Sequence, residues 1–370
     1  MINIAFLTGA RSEYGVAKPL LRRLSEHENI CLKTFPNGMH LLKEYGYTVS
    51  EIEKDGFYIA EMIHTYEASK EKAYQFSKSL DLIYKTLKMH DVDLVFLIGD
   101  RPEAYTAALA AHFLNIPIAH FGGGTLTAGA VDNYYRYNIS NLATLHFVTS
   151  KNNYVRLRNC ILVKDKDVHF TGSLAIDSIL KYLAHSNDNK QEHVIVGFTN
   201  YALITFHPVT SQDEDIPKLL EVAVDLIIEK EREVVITYPN NDEGSDKIIS
   251  AIDQYRDHQS VHVVESLGAE GYYRAIDNCL FVVGNSSSGI IEVPYFNKIS
   301  LNVGSRQEGR DKDLGVINVA ATENRLKKAL ITGFDHDWEP EPCNRIYGNG
   351  QSTDRISEII LDYFSKESCK

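Results

Sequence analysis

Cysteine is scarce in this sequence, and its few cysteines are scattered. They are odd in number and include no CxxC pair: Cys31, Cys160, Cys279, Cys343 and Cys369. A disulfide framework or a cysteine-ligated zinc site needs an even or closely spaced set. The pattern therefore argues against both and favours a reducing compartment.

Long apolar runs are also missing. A membrane-spanning helix needs about 18 consecutive apolar residues, and the sequence has no such run. The opening residues, MINIAFLTGA, lack the basic segment that precedes the apolar part of a secretory signal peptide. We therefore expect a cytoplasmic protein without a membrane span.

Positive charge is in short supply. Lysine and arginine number 38 against 50 aspartates and glutamates, which gives a formal net charge of -12. A broad nucleic-acid surface normally requires a basic face, so the balance argues against a nucleic-acid partner. A phosphate group could still bind through a local cluster of hydrogen-bond donors.

Length and periodicity, by contrast, are informative. The 370 residues are enough for two domains of about 150–200 residues each. Short apolar runs alternate with longer amphipathic stretches, which is typical of parallel sheets covered by helices. Strands are predicted at 2–7, 93–98, 116–120, 145–149, 203–206, 234–237, 261–264, 280–283 and 299–303, and helices at 14–26, 103–114, 216–229 and 352–365. The polar stretch 185–193 between the two series is predicted to be a linker or surface loop.

Polar residues follow several strands of the first half. A glycine turn at 9–15 carries Arg11 and could bind an anion, or it could be a plain tight turn with a solvated arginine. Asp100 directly follows the strand at 93–98 and could act as a base or orienting group, or cap the next helix. Three glycines at 122–124 precede Asp132 and would allow a ligand close to the backbone, although a flexible loop is the alternative.

The second half has a similar arrangement. His207 follows a strand and could be an acid, a base or a phosphate donor, or a structural histidine. A serine-rich segment follows the strand at 280–283 and begins an apolar helix. Its hydroxyl and N–H groups could donate to a diphosphate: Ser286, Ser287, Ser288 and Gly289. Glu292 could accept from ribose hydroxyls, and Arg310 adds a cation. The alternative is a serine-rich helix cap with a capping-box-like glutamate.

As a set, these motifs resemble the UDP-N-acetylglucosamine 2-epimerases, and most closely the hydrolysing branch of sialic-acid and related nonulosonic-acid synthesis. The matching stretches lie in the expected order and cover nearly the whole chain: GARSEYG at 9–15, GDR at 99–101, TGSLAID at 171–177, FHP at 206–208, GNSSSGIIEVP at 284–294 and NVGSRQEGR at 302–310.

The resemblance implies an α/β, GT-B-like fold with two Rossmann-like, doubly wound parallel-sheet domains and a cleft between them. We place the N-terminal domain, on the sugar and catalytic side, at 1–171 and the nucleotide-binding C-terminal domain at 172–350. A terminal helix at 351–370 is expected to pack back on the N-terminal domain. The substrate implied is a UDP-sugar or another nucleotide sugar. A homo-oligomer is compatible with the sequence.

The resemblance also implies roles for single residues. Asp100, Asp132 and His207 match the acid/base positions. The nucleotide and its phosphates are assigned to Arg11, Ser286, Ser287, Ser288, Gly289, Glu292 and Arg310. The implied reaction is elimination of the nucleoside diphosphate and hydration with inversion at C2, which requires no metal or other cofactor.

One position departs from the family. The family usually has His-Gly-Gly-Glu where this chain has Gly122-Gly123-Gly124-Thr125, so the glutamate position is Thr125. Threonine cannot serve as a carboxylate base. The sequence therefore leaves three functions open: a hydrolysing 2-epimerase, on N-acetylglucosamine or a modified hexosamine; a glycosyltransferase or non-epimerising hydrolase on the same scaffold; and a non-catalytic nucleotide-sugar-binding protein.

Overall fold

Two compact units make up the chain. The computed structural model describes residues 1–67, 71–127, 131–186, 200–209, 214–239, 244–335 and 343–367. The first unit comprises Met1–Thr125, Val131–Asp177 and Tyr347–Lys370, and the second Leu126–Ala130 and Ser178–Ile346.

The first unit is built on a six-stranded sheet in which every neighbouring pair is parallel. The strand order is 2-1-3-4-5-6, so the direction of winding reverses between the first and third strands. The strands are β1 (Ile2–Thr8), β2 (Ile30–Pro36), β3 (Leu94–Ile98), β4 (Ile118–Phe121), β5 (Leu145–Val148) and β6 (Val168–Phe170).

The helices of this unit are α1 (Arg11–Ser25), α2 (Val49–Lys54), α3 (Lys72–Met89), α4 (Pro102–Phe113), α5 (Asp132–Leu142) and α6 (Lys151–Arg158), and α7 (Leu174–Ser186) begins in this unit and continues in the second. Short 3-10 helices span Gly38–Leu41, Lys43–Tyr45 and Asp165–Asp167. Helix α7 therefore includes positions 185 and 186, where the polar stretch was predicted to be irregular. Residues 187–193 of that stretch lie outside the described residues.

The second unit has its own six-stranded parallel sheet, in the order 12-11-10-7-8-9. Its strands are β7 (Tyr201–Thr205), β8 (Glu233–Thr237), β9 (Val261–Val264), β10 (Phe281–Gly284), β11 (Ile299–Val303) and β12 (Val316–Val319). Its helices are α8 (Ile216–Glu229), α9 (Ser245–Asp253), α10 (Gly268–Asn278), α11 (Ser288–Ile291), α12 (Glu323–Asp335) and a 3-10 turn at Val293–Phe296. The last helix, α13 (Ser352–Glu367), belongs to the first unit.

Apolar residues cover both faces of the first sheet. Along β1, Ile4 and Phe6 belong to one buried cluster, whereas Ala5 and Leu7 belong to another. Since successive side chains of a strand point to opposite faces, both faces carry a core. The two parallel sheets with flanking helices confirm the predicted doubly wound α/β architecture.

The terminal helix is fixed to the first unit by both apolar and polar contacts. Ile356 and Ile360 are fully buried in the cluster that also contains Leu20 of α1. The carboxylate of Asp177 accepts from the backbone N–H groups of Ser352, at 3.1 Å, and Thr353, at 2.7 Å. A carboxylate at this end of a helix satisfies N–H groups that have no partner within the helix. None of the described helices is both long and apolar enough to cross a membrane.

Candidate functional site

The polar motifs lie where the winding of each sheet reverses. In open parallel sheets, ligands bind beyond the carboxyl ends of the strands at this point. In the first unit the reversal falls between β1, which leads to Arg11, and β3, which leads to Asp100. In the second unit it falls between β7, which leads to His207, and β10, which leads to the serine segment. Strand order therefore gives each unit one candidate site.

Asp100 is held by an arginine from a neighbouring helix. Its carboxylate forms an ion pair with Arg136 of α5, whose side chain is 5% exposed against 25% for Asp100. The guanidinium also donates to the backbone oxygen of Thr125, at 2.8 Å, and to Asn133 Oδ1, at 2.9 Å. Helix α4 has Arg101 as its N-cap, without a side-chain cap hydrogen bond. Asp100 is therefore part of an ion pair rather than a helix cap.

The glycine run places Thr125 beside this ion pair. A Cβ atom on Gly124 would lie 2.4 Å from the backbone oxygen of Asn153, and its φ is +75°, so a side chain does not fit there. The Thr125 Oγ1 atom accepts from Asn153 Nδ2 at 2.9 Å. The loop is thus held by α5 and α6 rather than being the flexible alternative considered from the sequence.

Asp132 is the first residue of α5, one turn before Arg136, and its side chain is exposed. A carboxylate in the first turn of a helix is favoured by the positive end of the helix dipole. Exposure leaves this carboxylate accessible to a ligand, but it provides none of the desolvation that would raise the basicity of a buried base.

The glycine turn after β1 is occupied by a side chain of the protein. Glu13 Oε2 accepts from the backbone N–H groups of Gly9, at 2.8 Å, and Ala10, at 3.2 Å. These are the donors that the sequence analysis offered to an anion. Arg11 pairs through Nε with Glu51 at 3.1 Å, and both side chains are about two-fifths exposed. Arg11 therefore remains a candidate phosphate ligand, but these two backbone amides already bind a carboxylate.

Glu13 is the buried acidic group that the sequence analysis missed. Burial raises the pKa of its carboxyl to about 7, opposed by the positive charge of Arg101 and reinforced by the negative charge of Glu103. Its Oε2 also lies 3.4 Å from the hydroxyl of Thr8, which contacts His40 Nε2 at 3.0 Å. A glutamate three residues into a helix, folded back on the N-cap, is the second half of a capping box, so the spacing in GARSEYG could have indicated it.

His207 is fixed through its backbone by an asparagine from the adjacent strand end. Asn285 Oδ1 accepts from the His207 N–H at 2.7 Å, and Asn285 Nδ2 donates to the His207 carbonyl at 2.8 Å. The asparagine is fully buried and follows β10 as His207 follows β7. Its amide thus continues the pairing of the two strands beyond their ends. Burial, together with the positive charge of Arg306, lowers the pKa of the His207 imidazole to about 3.

The backbone at the same strand end has no space for a side chain. Gly284 has φ +152°, and a Cβ atom there would lie 1.9 Å from the carbonyl oxygen of Thr205. The next carbonyl, that of Asn285, accepts from Gln307 Nε2 at 2.8 Å and from Arg306 Nη1 at 3.1 Å. Asn285 and Gln307 were not predicted from the sequence, although they lie inside the motifs at 284–294 and 302–310.

The serine segment is partly engaged in its own hydrogen bonds. Ser286 Oγ accepts from the Ser288 N–H at 3.3 Å, and Ser288 Oγ donates to Glu292 Oε2 at 2.7 Å. Burial raises the pKa of the Glu292 carboxyl, and the hydrogen bond from Ser288 opposes that rise. Ser287 is the N-cap of α11 and makes no side-chain cap hydrogen bond. The hydrogen bond from the Ser288 N–H to Ser286 is of the kind that a serine cap makes, so the serine cap and the diphosphate site both stay predictions for this segment.

Gly289 and Arg310 complete the predicted set in the second unit. Gly289 is buried, and a Cβ atom there would meet Ser300 Oγ at 2.6 Å. Arg310 Nη2 donates to Thr127 Oγ1 at 3.3 Å. Within each unit, the structure thus brings the predicted residues to one sheet edge. Among the residues that the structure describes, no three His, Cys, Asp or Glu side chains are grouped so as to hold a metal ion.

Several known proteins are similar to this chain. It is 31% identical over 367 residues to the UDP-N,N'-diacetylbacillosamine 2-epimerase (hydrolyzing) of Legionella pneumophila, covering 97% of this chain and 95% of that protein. It is 27% identical over 361 residues to the UDP-N-acetylglucosamine 2-epimerase of Neisseria meningitidis, covering 97% and 95%.

Solved structures agree on the fold. The UDP-GlcNAc 2-epimerase from Neisseria meningitidis, bound to UDP-GlcNAc, superposes with a TM-score of 0.82 at 15% identity, covering 98% of this chain and all of that one. The enzyme from Methanocaldococcus jannaschii, in complex with UDP-GlcNAc and UDP, gives 0.80 at 17% identity, covering 97% and 99%. These structures confirm the GT-B-like, two-domain fold. The family model described as UDP-N-acetylglucosamine 2-epimerase matches residues 22–361, and the chain therefore belongs to the UDP-N-acetylglucosamine 2-epimerase family.

Proposed function

We propose that this chain is a hydrolysing 2-epimerase that acts on a UDP-activated N-acylated hexosamine. The observation that carries the proposal is the 31% identity, over nearly the whole chain, to a Legionella protein named as a hydrolysing UDP-N,N'-diacetylbacillosamine 2-epimerase. The second unit supports it, because hydroxyl, amide and arginine donors gather beyond β7 and β10, where a diphosphate would bind.

The proposed reaction has two steps. A base removes the proton from C2 of the sugar while the bond from C1 to the diphosphate oxygen breaks, which leaves a C1=C2 double bond and free nucleoside diphosphate. Water then adds a hydroxyl to C1 and a proton to the opposite face of C2. The product is the free sugar with inverted C2.

The residues divide into two groups in this proposal. Asp100, Asp132 and His207 transfer protons, and the low pKa of His207 keeps its imidazole uncharged but only weakly basic at pH 7. The nucleotide is held by Arg11, Ser286, Ser287, Ser288, Gly289, Glu292 and Arg310. Donors aimed at the departing diphosphate would stabilise the charge that develops on it.

Thr125 is the observation that favours a second candidate. Its hydroxyl cannot take the part of a carboxylate base, and Asp100 beside it is already paired with Arg136. An enzyme that transfers or hydrolyses the sugar and leaves C2 untouched would not need that base. A glycosyltransferase or a non-epimerising hydrolase is therefore the alternative.

Incubation in D₂O with UDP-, GDP- and CMP-sugars separates the two, with products followed by proton NMR. Elimination through C2 requires the proton at C2 of the product to come from solvent, so deuterium should appear there together with inverted configuration. Free sugar that retains its original C2 proton and configuration would favour the non-epimerising hydrolase. The absence of any reaction, with UDP binding intact by calorimetry, would argue against both catalytic functions.

A further inference from the structure

Position 125 is held rigidly by the residues around it. The carbonyl of Thr125 accepts from Arg136 Nη1 at 2.8 Å. A Cβ atom on Gly123 would lie 2.8 Å from Ser140 Oγ, and one on Gly124 would lie 2.4 Å from the backbone oxygen of Asn153. The backbone before Thr125 is thus close-packed and its own carbonyl is hydrogen-bonded, so the Thr125 side chain is presented in a defined direction. The side chain is half-buried.

The donor in the hydrogen bond between Asn153 and Thr125 can be identified from a third residue. Asn153 is 4% exposed, and its Oδ1 atom receives a hydrogen bond from Arg156 Nη1 at 3.2 Å. A guanidinium has only donors, so the oxygen of the asparagine amide must face Arg156. The amide nitrogen then faces Thr125 Oγ1, at 2.9 Å, and Thr149 Oγ1, at 3.1 Å.

The hydroxyl of Thr125 therefore acts as an acceptor toward the protein. Asn153 Nδ2 is its one side-chain partner among the residues that the structure describes. A hydroxyl that accepts through oxygen still has its hydrogen to donate. The protein thus fixes the oxygen of Thr125 and leaves the hydrogen for another acceptor.

The charged side chains near this hydroxyl are the ion pair of Asp100 with Arg136 and a further arginine, Arg156, which donates to the Gly124 carbonyl at 3.5 Å. The charge of Asp100 is compensated by Arg136, and Thr125 itself is neutral. A carboxylate at position 125, as in the family pattern, would add a negative charge and would present only acceptors. Threonine reverses the polarity of this position from acceptor to donor. A ligand group suited to it is one that accepts and does not donate.

We propose that Thr125 is a specificity-determining residue whose hydroxyl donates a hydrogen bond to the carbonyl oxygen of an acylamino substituent on the sugar. An amide carbonyl is an acceptor only, whereas a sugar hydroxyl is both donor and acceptor and would suit a carboxylate equally well. The inference rests on the proposed function, because it requires a nucleotide sugar in the site, but it does not depend on whether C2 is epimerised.

Binding measurements on two threonine variants test the inference. The probes are UDP and the phosphonate analogues of UDP-N-acetylglucosamine and UDP-glucose, in which CH₂ replaces the anomeric oxygen and prevents hydrolysis. Thr125→Val removes the hydroxyl and keeps the shape, so calorimetry should give a Kd for the N-acetyl analogue raised about 3- to 10-fold. Thr125→Ser keeps the hydroxyl and should stay within about twofold of the wild type. Neither variant should change the Kd of UDP or of the glucose analogue.

Thr149→Val is the matched control, because Thr149 accepts from the same asparagine nitrogen as Thr125. It should leave the preference for the N-acetyl analogue over the glucose analogue intact. An equal loss of both analogues in Thr125→Val, or no loss at all, would overturn the inference while UDP binding still supported the proposed function. Failure of the wild type to bind UDP or either analogue would overturn the proposed function and this inference with it.

Discussion

The candidate sites of the two units, beyond the carboxyl ends of their strands, are held together by different kinds of interaction. We call the site of the first unit the first edge and that of the second unit the second edge. In the first unit, charged side chains pair with each other or with backbone amides, as in Asp100 with Arg136 and Glu13 with Gly9. In the second unit, a neutral amide holds a neutral histidine through the backbone, as Asn285 does for His207. Charged pairs can change protonation and charge during a reaction, whereas backbone clamps fix donors in place. We therefore associate the first edge mainly with chemistry and the second mainly with binding, with two exceptions in our proposal: Arg11 of the first unit holds the nucleotide and His207 of the second transfers a proton.

Replacing Asp100 with asparagine should separate these two roles most clearly. The amide keeps the shape of the side chain but can neither carry the charge that pairs with Arg136 nor transfer a proton. Loss of a proton-transferring group costs about 10²–10⁴-fold in kcat. Turnover measured by NMR should fall by that factor, with the Kd of UDP unchanged by calorimetry.

The exposed Asp132 provides the comparison for Asp100. Asp132→Asn should lower kcat as well if this residue shares the proton transfers, and again leave UDP binding intact. Full turnover by a variant that carries both substitutions would rule out the carboxylate mechanism. It would also rule out the assignment of proton transfer to the first edge.

A single methyl group at Gly284 should damage the second edge. Gly284→Ala would place the Cβ atom 1.9 Å from the Thr205 carbonyl oxygen, and the φ of +152° is unfavourable for alanine. We expect a loss of about 3 kcal/mol or more in the free energy of unfolding, measured by urea titration. Gly15→Ala is the control: Gly15 lies inside α1 with nothing within 4 Å of its Cβ position, so that change should stabilise by about 0.5–1 kcal/mol. Equal stability of the two variants would contradict the steric argument.

Substitutions at Asn285 should give a graded loss. Asn285→Ala removes both hydrogen bonds to the His207 backbone and leaves two buried groups without partners, which costs about 2–4 kcal/mol. Asn285→Asp keeps the acceptor for the His207 N–H, but its second oxygen faces the His207 carbonyl and its negative charge is buried, so a larger loss than in Asn285→Ala is expected. Urea titration gives the stability, and calorimetry should show weaker UDP binding in the same order. Unchanged UDP affinity in Asn285→Ala would mean that the hydrogen bonds between Asn285 and the His207 backbone do not contribute to nucleotide binding.

The sequence was sufficient for the central strands but missed three of the four outermost strands, and it predicted the fourth, Val261–Val264. The strand at Leu94–Ile98 is fully buried, and its unbroken apolar run made it easy to predict. The strands that were not predicted, β2, β6 and β12, are all outermost strands of their sheets. An outermost strand has a weak apolar sequence pattern when it is partly exposed, as in Val316–Val319, or very short, as in Val168–Phe170.

The candidate site was predictable as a set of motifs but not as a set of contacts. The pairing of Asp100 with Arg136 joins residues 36 positions apart, and that of His207 with Asn285 joins residues 78 positions apart. Such contacts depend on which strands become neighbours, and periodicity does not reveal strand order. Capping by Glu13, in contrast, is local and could have been inferred from spacing alone.

Buried histidines set the general dependence of stability on pH. Burial lowers the pKa of His40 and His120 to about 4 and that of His146 and His207 to about 3. The unfolded chain, with histidine near 6.5, binds more protons over the interval between these values. Stability from this source is therefore complete above pH 6.5 and is lost as the pH falls toward 3.

Glu13 should contribute to the pH dependence of stability with the opposite sign. Its pKa is raised from 4.5 to about 7 in the folded state, so between these values the folded chain holds a proton that the unfolded chain has released. Its contribution is fully present below pH 4.5 and is lost as the pH rises through 7. Across this window the loss in unfolding free energy amounts to about 3 kcal/mol.

Glu13→Gln cannot ionise, so it tests this pH dependence. The difference in unfolding free energy between wild type and variant, from urea titrations between pH 4.5 and 8, should shift in favour of the variant as the pH rises. Arg11→Gln is the matched control, because Arg11 lies in the same turn and pairs with Glu51 rather than with Glu13, and its difference curve should be flat. A flat curve for Glu13→Gln as well would mean that the carboxyl ionises normally in the folded protein, and the first edge would then lack the buried titrating group that distinguishes it from the second.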